Sequence, residues 1–290
     1  MGLRNASVLF AAAFASQCVT ARSLPTADVQ PRTFDLGHND WSCQSPKGQN
    51  PVVLLHGLGA TFYEDINFLE SWLQRQGLCT FSLTYGAYPG FPFVGGLRPI
   101  EESSREIVDF TRKVQDATGS EKVDLVGHSE GALQTLYTTK FGGISESIGR
   151  VVAIAPPTHG TSFANLYTIA QTIGIDGLAD SVLSIFGCKA CTELVNGGTA
   201  IQQLNDGPIT QPGVQYTIIT SKNDELVSPP DTSFIDEPGV TNIYVQDYCP
   251  SDAVGHIGEG YDPNVWHLVL NALEGEIGRE FECSIGIPLR

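Results

Sequence analysis

Ser129 is the residue of this sequence best placed to act as a nucleophile. It sits in Gly127-His128-Ser129-Glu130-Gly131, a G-x-S-x-G. A serine hydroxyl attacks a carbonyl only when a nearby imidazole takes its proton, and that imidazole needs a carboxylate to fix its tautomer. The pentapeptide alone is weak evidence. With 31 glycines and 21 serines in 290 residues, chance supplies about a quarter of a match per chain of this composition. The flanks carry the signal. Val123, Leu125 and Val126 are apolar, as in a buried strand, and β-branched residues favour extended backbone. Ala132, Leu133, Leu136 and Tyr137 recur at helical spacing. The two glycines allow a turn too tight for side chains, which lifts Ser129 Oγ clear of the strand and over a helix N-terminus.

Strand, G-x-S-x-G and helix, in that order, form the nucleophile elbow of α/β-hydrolases. In that fold the partners follow in the chain order serine, acid, histidine, on loops at the C-terminal edge of the sheet. The order prunes the six histidines. His38 and His56 precede the serine, and the side chain of His128, within the elbow, points away from Oγ. His159 comes before any plausible acid. His267 lies among Leu268, Val269 and Leu270 of a closing helix, which suits a structural role. His256, in Val254-Gly255-His256-Ile257-Gly258, occupies a loop after the last strand, where glycines let the ring reach across. It is the expected base. Asp224 is the expected acid, because it follows the strand Tyr216 to Ser221 directly. The competing reading of Asp224 is an Asx-turn residue in Asn223-Asp224. Asp206 precedes that strand, Asp231 and Asp236 lie farther out among prolines, and Glu225 points elsewhere if Asp224 points inward.

An acyl-transfer site also needs two backbone N–H groups for the developing oxyanion. Glu130, after the nucleophile, is one candidate, and Leu58, in the loop after Val52 to Leu55, is the other. No H-E-x-x-H, P-loop or strand-borne G-x-G-x-x-G occurs, so no metal or organic cofactor is expected. Cys188-Lys189-Ala190-Cys191 has redox or zinc spacing. A lone pair lacks a second ligand pair, and a short disulfide is the better reading.

Composition sets the surroundings. A formal charge of −16 argues against nucleic acid and anionic membrane surfaces. Arg4, the apolar run Ala6 to Ala15 and Val19-Thr20-Ala21 read as a signal peptide over residues 1–21, too short to span a bilayer. Cleavage removes Cys18 and leaves Cys43, Cys79, Cys188, Cys191, Cys249 and Cys283, an even number suited to an oxidising compartment. Six cysteines allow fifteen pairings.

The elements that must position the site follow in order. Pro51 to Leu55 is a central strand, Tyr63 to Gln76 a helix, Thr80 to Tyr85 a strand and Pro99 to Thr118 a helix begun by proline. Arg150 to Ala155, Tyr216 to Ser221 and Asn242 to Gln246 complete the strands, and a helix closes the chain from about Asn264 to Leu273. Apolar strands alternating with helices predict an α/β fold, with a doubly wound, mostly parallel sheet in a single domain, 22–290. An insertion at about 162–198 carries two apolar stripes, one on Phe163, Leu166, Tyr167, Ala170 and Ile173 and one on Leu178, Val182, Ile185 and Phe186. It is expected to form a helical cap over the cleft, against the plainer reading that both stripes pack into the core.

Asn39-Asp40-Trp41-Ser42-Cys43, Val52-Val53-Leu54-Leu55-His56-Gly57, the elbow, Ala155-Pro156 with His159-Gly160-Thr161, and Cys249-Pro250 before His256 together resemble the class 2 lipases. These are secreted microbial triacylglycerol lipases and esterases of the α/β-hydrolase fold. The resemblance implies catalytic Ser129, Asp224 and His256, oxyanion groups at Leu58 and Glu130, and disulfides Cys43–Cys79 and Cys249–Cys283, leaving Cys188–Cys191. One position departs. These relatives often carry Gln after the serine, whereas a Glu130 carboxylate should favour imidazolium on His256 and shift the pH profile.

The sequence therefore predicts a secreted, monomeric serine carboxylic-ester hydrolase, acting on acylglycerols or other fatty-acyl esters, at a lipid–water interface if the cap opens. An acyltransferase or polyester depolymerase on the same three residues is the alternative, followed by a non-catalytic secreted binding protein of the same fold.

Overall fold

Val52–Leu55 (β1), Thr80–Ser82 (β2), Val123–His128 (β3), Ile148–Ile154 (β4), Gln215–Thr220 (β5) and Val240–Tyr244 (β6) join into one sheet in the order β2-β1-β3-β4-β5-β6. Every pairing is parallel. The computed structural model describes residues 38–162 and 187–286. The expected signal peptide, 1–21, and most of the expected cap lie outside the described residues. Among the described residues the α-helices are Asn67–Arg75 (α1), Ile100–Thr118 (α2), Glu130–Phe141 (α3), Lys189–Leu194 (α4), Thr199–Leu204 (α5), Val245–Tyr248 (α6), His256–Glu259 (α7) and Pro263–Glu274 (α8).

Alternation along the strands explains the layers. Val53 and Leu55 of β1, with Leu125 of β3 and Val151 of β4, face Ile107 of α2 and Leu133 and Leu136 of α3. Val52, Leu54, Val126 and Val152 face Leu69 and Leu73 of α1 and Leu268 and Val269 of α8. Both faces of the sheet are thus covered, as a parallel sheet requires. The class is the α/β-hydrolase fold read from the sequence.

The order also fixes where a site can form. From β1 the chain goes out to β2 and returns to β3 on the other side of β1. Such a reversal opens a crevice at the C-terminal ends of the strands, where ligands bind in open α/β sheets. The loop after β1 and the elbow after β3 meet there.

Several boundaries differ from expectation, each for a local reason. The helix expected from Tyr63 begins only at Asn67, because Asp65 has φ 70° and its side chain is turned into the protein. The second strand ends at Ser82, and Tyr85 folds onto His56 with the rings 4.3 Å apart. The sixth strand runs Val240–Tyr244, pairing with Tyr216 to Thr220, before α6 takes over at Val245. Pro99 and Gly119 (φ 67°) bound α2 as expected.

The structure contains the disulfides Cys43–Cys79, Cys188–Cys191 and Cys249–Cys283, the set the resemblance implied. Among the described residues no helix is long and apolar enough to cross a membrane.

Candidate active site

The elbow is built by steric necessity. Ser129 has φ 55° and ψ −121°, a conformation that side-chain-bearing residues rarely adopt. A Cβ on Gly127 would lie 2.3 Å from the carbonyl oxygen of Gly131, and one on Gly131 would lie 2.3 Å from that of Leu55. Only glycine fits at either place. Ser129 is also the N-cap of α3, where a serine hydroxyl ordinarily bonds the helix's first N–H groups. Here it makes no such bond.

Its hydroxyl instead stands 2.9 Å from Nε2 of His256, while Nδ1 of His256 lies 2.8 Å from Oδ2 of Asp224. All three side chains are buried. The other oxygen of Asp224 accepts the N–H groups of Leu226 and Val227, each at 2.9 Å. Asp224 is therefore both a local turn residue and the carboxylate facing His256, and the turn is what aims it. His256 was expected within a loop. It is the first residue of the one-turn helix α7, just after Gly255.

Glu130 follows the serine in the chain, and Leu58 follows Gly57 on the loop after β1. Gly57 passes so close that a Cβ there would come within 3.3 Å of Ser129 Cβ. His56 Nδ1 donates to the carbonyl of Gly57 at 2.8 Å. In a trans peptide the N–H points opposite to the C=O, so this bond sets the direction of the Leu58 N–H. Burial holds His56 down at about 4, so the ring stays neutral and keeps that tautomer. Tyr85 Oη donates to the carbonyl of His56 at 2.5 Å and fixes the preceding peptide. Glu130 opens α3, and the first N–H groups of a helix have no acceptor within it.

The family profile described as Lipase (class 2) matches residues 49–259, which span all of these groups. The chain belongs to the class 2 lipase family. A triacylglycerol lipase of Pseudarthrobacter phenanthrenivorans is 26% identical over 141 residues, covering 47% of this chain and 42% of that one. The chain thus spans less than half the length of this curated relative. Lipase B of Aspergillus fumigatus superposes with a TM-score of 0.58 at 19% identity, over 78% of this chain and 52% of that one. An alpha/beta hydrolase from the sediment metagenome of the Mar Chica lagoon, Morocco, superposes at 0.51 with 18% identity, over 79% and 90%. At such identities the superpositions speak for the fold.

The remaining histidines of this class 2 lipase lie elsewhere. His159 Nε2 donates to the Phe234 carbonyl, His38 faces Ser82 Oγ, and His267 stacks on Phe281. His128 does point away from Oγ, but not into a featureless core. Its Nδ1 lies 2.7 Å from Oδ1 of Asp65 and its Nε2 3.0 Å from the carbonyl oxygen of His256.

The expected effect of Glu130 needs correction. Its carboxyl is enclosed beside Gly96, accepting from Gln134 Nε2 at 3.2 Å and lying 3.2 Å from Tyr85 Oη, whose one proton goes to the His56 carbonyl. Burial raises its pKa to about 8. At neutral pH it is mostly a neutral acid and gives His256 no anionic neighbour.

Glu259, three residues beyond His256, has no counterpart among the residues expected from the sequence. One oxygen accepts the Ser221 N–H at 3.1 Å, and the other has no partner among the described residues. Burial, then the Asp224 charge, raise its pKa well above the usual range. Asp224, His256 and Glu259 are the one group of His, Cys, Asp or Glu among the described residues close enough to share an ion. Asp224 and His256 are already bonded to each other.

Proposed function

We propose that this class 2 lipase is a secreted hydrolase of lipid carboxylic esters that works through an acyl-enzyme on Ser129. One observation carries the reading. An unbroken chain of hydrogen bonds, 2.9 and 2.8 Å long, links a serine on a strained elbow through an imidazole to a buried carboxylate.

His256 takes the hydroxyl proton as Ser129 Oγ attacks the ester carbonyl. The Asp224 carboxylate holds Nδ1–H, presents Nε2 to the serine and stabilises the imidazolium that forms. The N–H groups of Leu58 and Glu130 receive the oxyanion. His256 then protonates the leaving alcohol. Water, activated by the same imidazole, attacks the acyl-enzyme, and the acid leaves with Ser129 restored.

Three disulfides support an oxidising compartment, as does the N-terminal pattern of residues 1–21. A cap over the cleft belongs to the same reading. The parallel bridge between Thr161 and Val195 pins the two ends of the insertion together. The N–H groups of Lys189 and Ala190 tie its return to the carbonyl of Leu97.

Hydrolysis of p-nitrophenyl esters across acyl lengths tests the reading. Turnover with an optimum among medium or long chains is expected, with activity on emulsified triglyceride rising once substrate exceeds its solubility limit. No turnover at any chain length would remove it.

A further inference from the structure

Asp65 is an aspartate at the edge of a helix, and His128 is the residue just before the elbow serine. Neither is used in the chemistry above, yet both are buried and each reaches two other parts of the site. Asp65 Oδ2 accepts the N–H of Gly57 at 2.6 Å, on the loop that presents Leu58. Asp65 Oδ1 faces His128 Nδ1 at 2.7 Å, next to Ser129. His128 Nε2 faces the carbonyl oxygen of His256 at 3.0 Å. Tyr261 Oη accepts the N–H of Asp65 at 2.7 Å, from just beyond α7. Gly260 closes the space, since a Cβ there would lie 2.8 Å from Asp65 Oδ1.

The geometry dictates the charge of His128. Each ring nitrogen faces an oxygen acceptor, a carboxylate on one side and a carbonyl on the other. A neutral imidazole can donate from one nitrogen only, so both contacts are hydrogen bonds only in the imidazolium. We infer that Asp65 and His128 form a buried carboxylate–imidazolium pair that positions the oxyanion loop, the elbow and His256 relative to one another. The inference rests on the hydrolytic reading above and deepens it. Both are positioning residues, because neither touches substrate.

The surroundings agree. Burial opposes a charge on His128, but the Asp65 carboxylate, the bond to it, the His256 carbonyl and the more distant Asp224 together raise its pKa. Burial opposes charge on Asp65 too, and His128, with the Gly57 N–H, keeps it ionised. The His256 ring lies 5.1 Å from that of His128, and His56, which also faces the Asp65 charge, is neutral. Breaking a buried pair by removing one charge leaves the other uncompensated. The loss should fall on alignment of the three catalytic elements, where a displacement of about 1 Å costs about 100-fold in rate.

Two measurements test the pair. In the native protein at pH 7, ¹⁵N NMR of labelled histidine, assigned through the backbone, should show both His128 ring nitrogens protonated. Asp65→Asn should lower kcat toward short soluble esters about 100-fold with KM little changed and the fold intact. A single protonated nitrogen on native His128 overturns the inference, as does an Asp65→Asn enzyme with native kcat. If Asp65→Asn fails to fold, the native spectrum decides. A doubly protonated His128 in a native protein that turns over no ester would leave the ion pair standing and overturn its positioning role along with the proposed function.

Discussion

The hydroxyl of Ser129 occupies the N-cap of α3 yet turns 2.9 Å from Nε2 of His256, leaving the helix's first N–H groups uncapped by it. Two stabilising options are given up at once, a relaxed backbone and a capped helix. What results is a hydroxyl aimed at a base beside free N–H groups, the arrangement that developing negative charge needs.

The strain should be measurable separately from the chemistry. Ser129→Ala and Ser129→Gly both remove the hydroxyl and its bond to His256, but only glycine relaxes at φ 55°. Ser129→Gly should be the more stable of the two by about 1 kcal/mol in chemical denaturation. Equal stability of the two variants would mean that the elbow stores no strain.

Gly131→Ala tests the close approach beneath the elbow. The new methyl would meet backbone atoms, the carbonyl oxygens of Leu55 at 2.3 Å and His56 at 2.4 Å, which cannot rotate away. A loss of about 3 kcal/mol or more is expected, with activity lost as the oxyanion loop is displaced. Native stability with native kcat would refute the packing.

Stability should fall as pH rises from mildly acid to alkaline. Burial raises the carboxyls of Asp124 to about 6, Glu70 to about 7 and Glu130 to about 8, against ordinary values of 3.8, 4.5 and 4.5. Between those limits the unfolded chain has released protons that the fold still holds. The contribution is complete below the ordinary values and is lost as pH rises through the folded ones. Asp65 has the opposite shift, so its contribution is lost in strong acid. Glu130→Gln should therefore stabilise the protein by a few kcal/mol at pH 8.5 and hardly at all at pH 4. Each tenfold difference in proton affinity between the folded and the unfolded chain is worth about 1.4 kcal/mol. Its activity should persist, because the backbone N–H is unchanged. A pH-independent effect on melting would contradict the burial of a neutral acid.

His267 offers the contrast to His256. It sits edge-on to Trp72 at 5.0 Å and stacks on Phe281 at 4.8 Å, joining α1, α8 and the C-terminal segment. His267→Ala should cost about 1 kcal/mol of stability and leave kcat near native. A large fall in kcat at native stability would bring His267 into the site.

The strands, the elbow and the chain order of Ser129, Asp224 and His256 could be read from sequence because each is a local pattern. Apolar runs, paired glycines and an aspartate just past a strand need no knowledge of distant residues. The contacts that escaped are long-range. Asp65 lies in a run whose periodicity suits a helix, and its inward turn appears only once His128, 63 positions later, is beside it. Glu130 looked like an anion because sequence carries no measure of its enclosure by Tyr85, Gly96 and Gln134. Even the position of His256 at the start of α7, rather than in an open loop, depends on Asp224 and Ser129 meeting it from two other strand ends.

An ester substrate should leave its acyl group on Ser129. Rapid acid quench of the protein turning over a p-nitrophenyl ester, followed by proteolysis and mass spectrometry, tests it most directly. The expected result is the acyl mass on the peptide holding Ser129, a matching burst of p-nitrophenolate, and loss of both in Ser129→Ala with turnover down by several orders of magnitude. Sustained turnover by Ser129→Ala, or acyl mass on another residue, would contradict it.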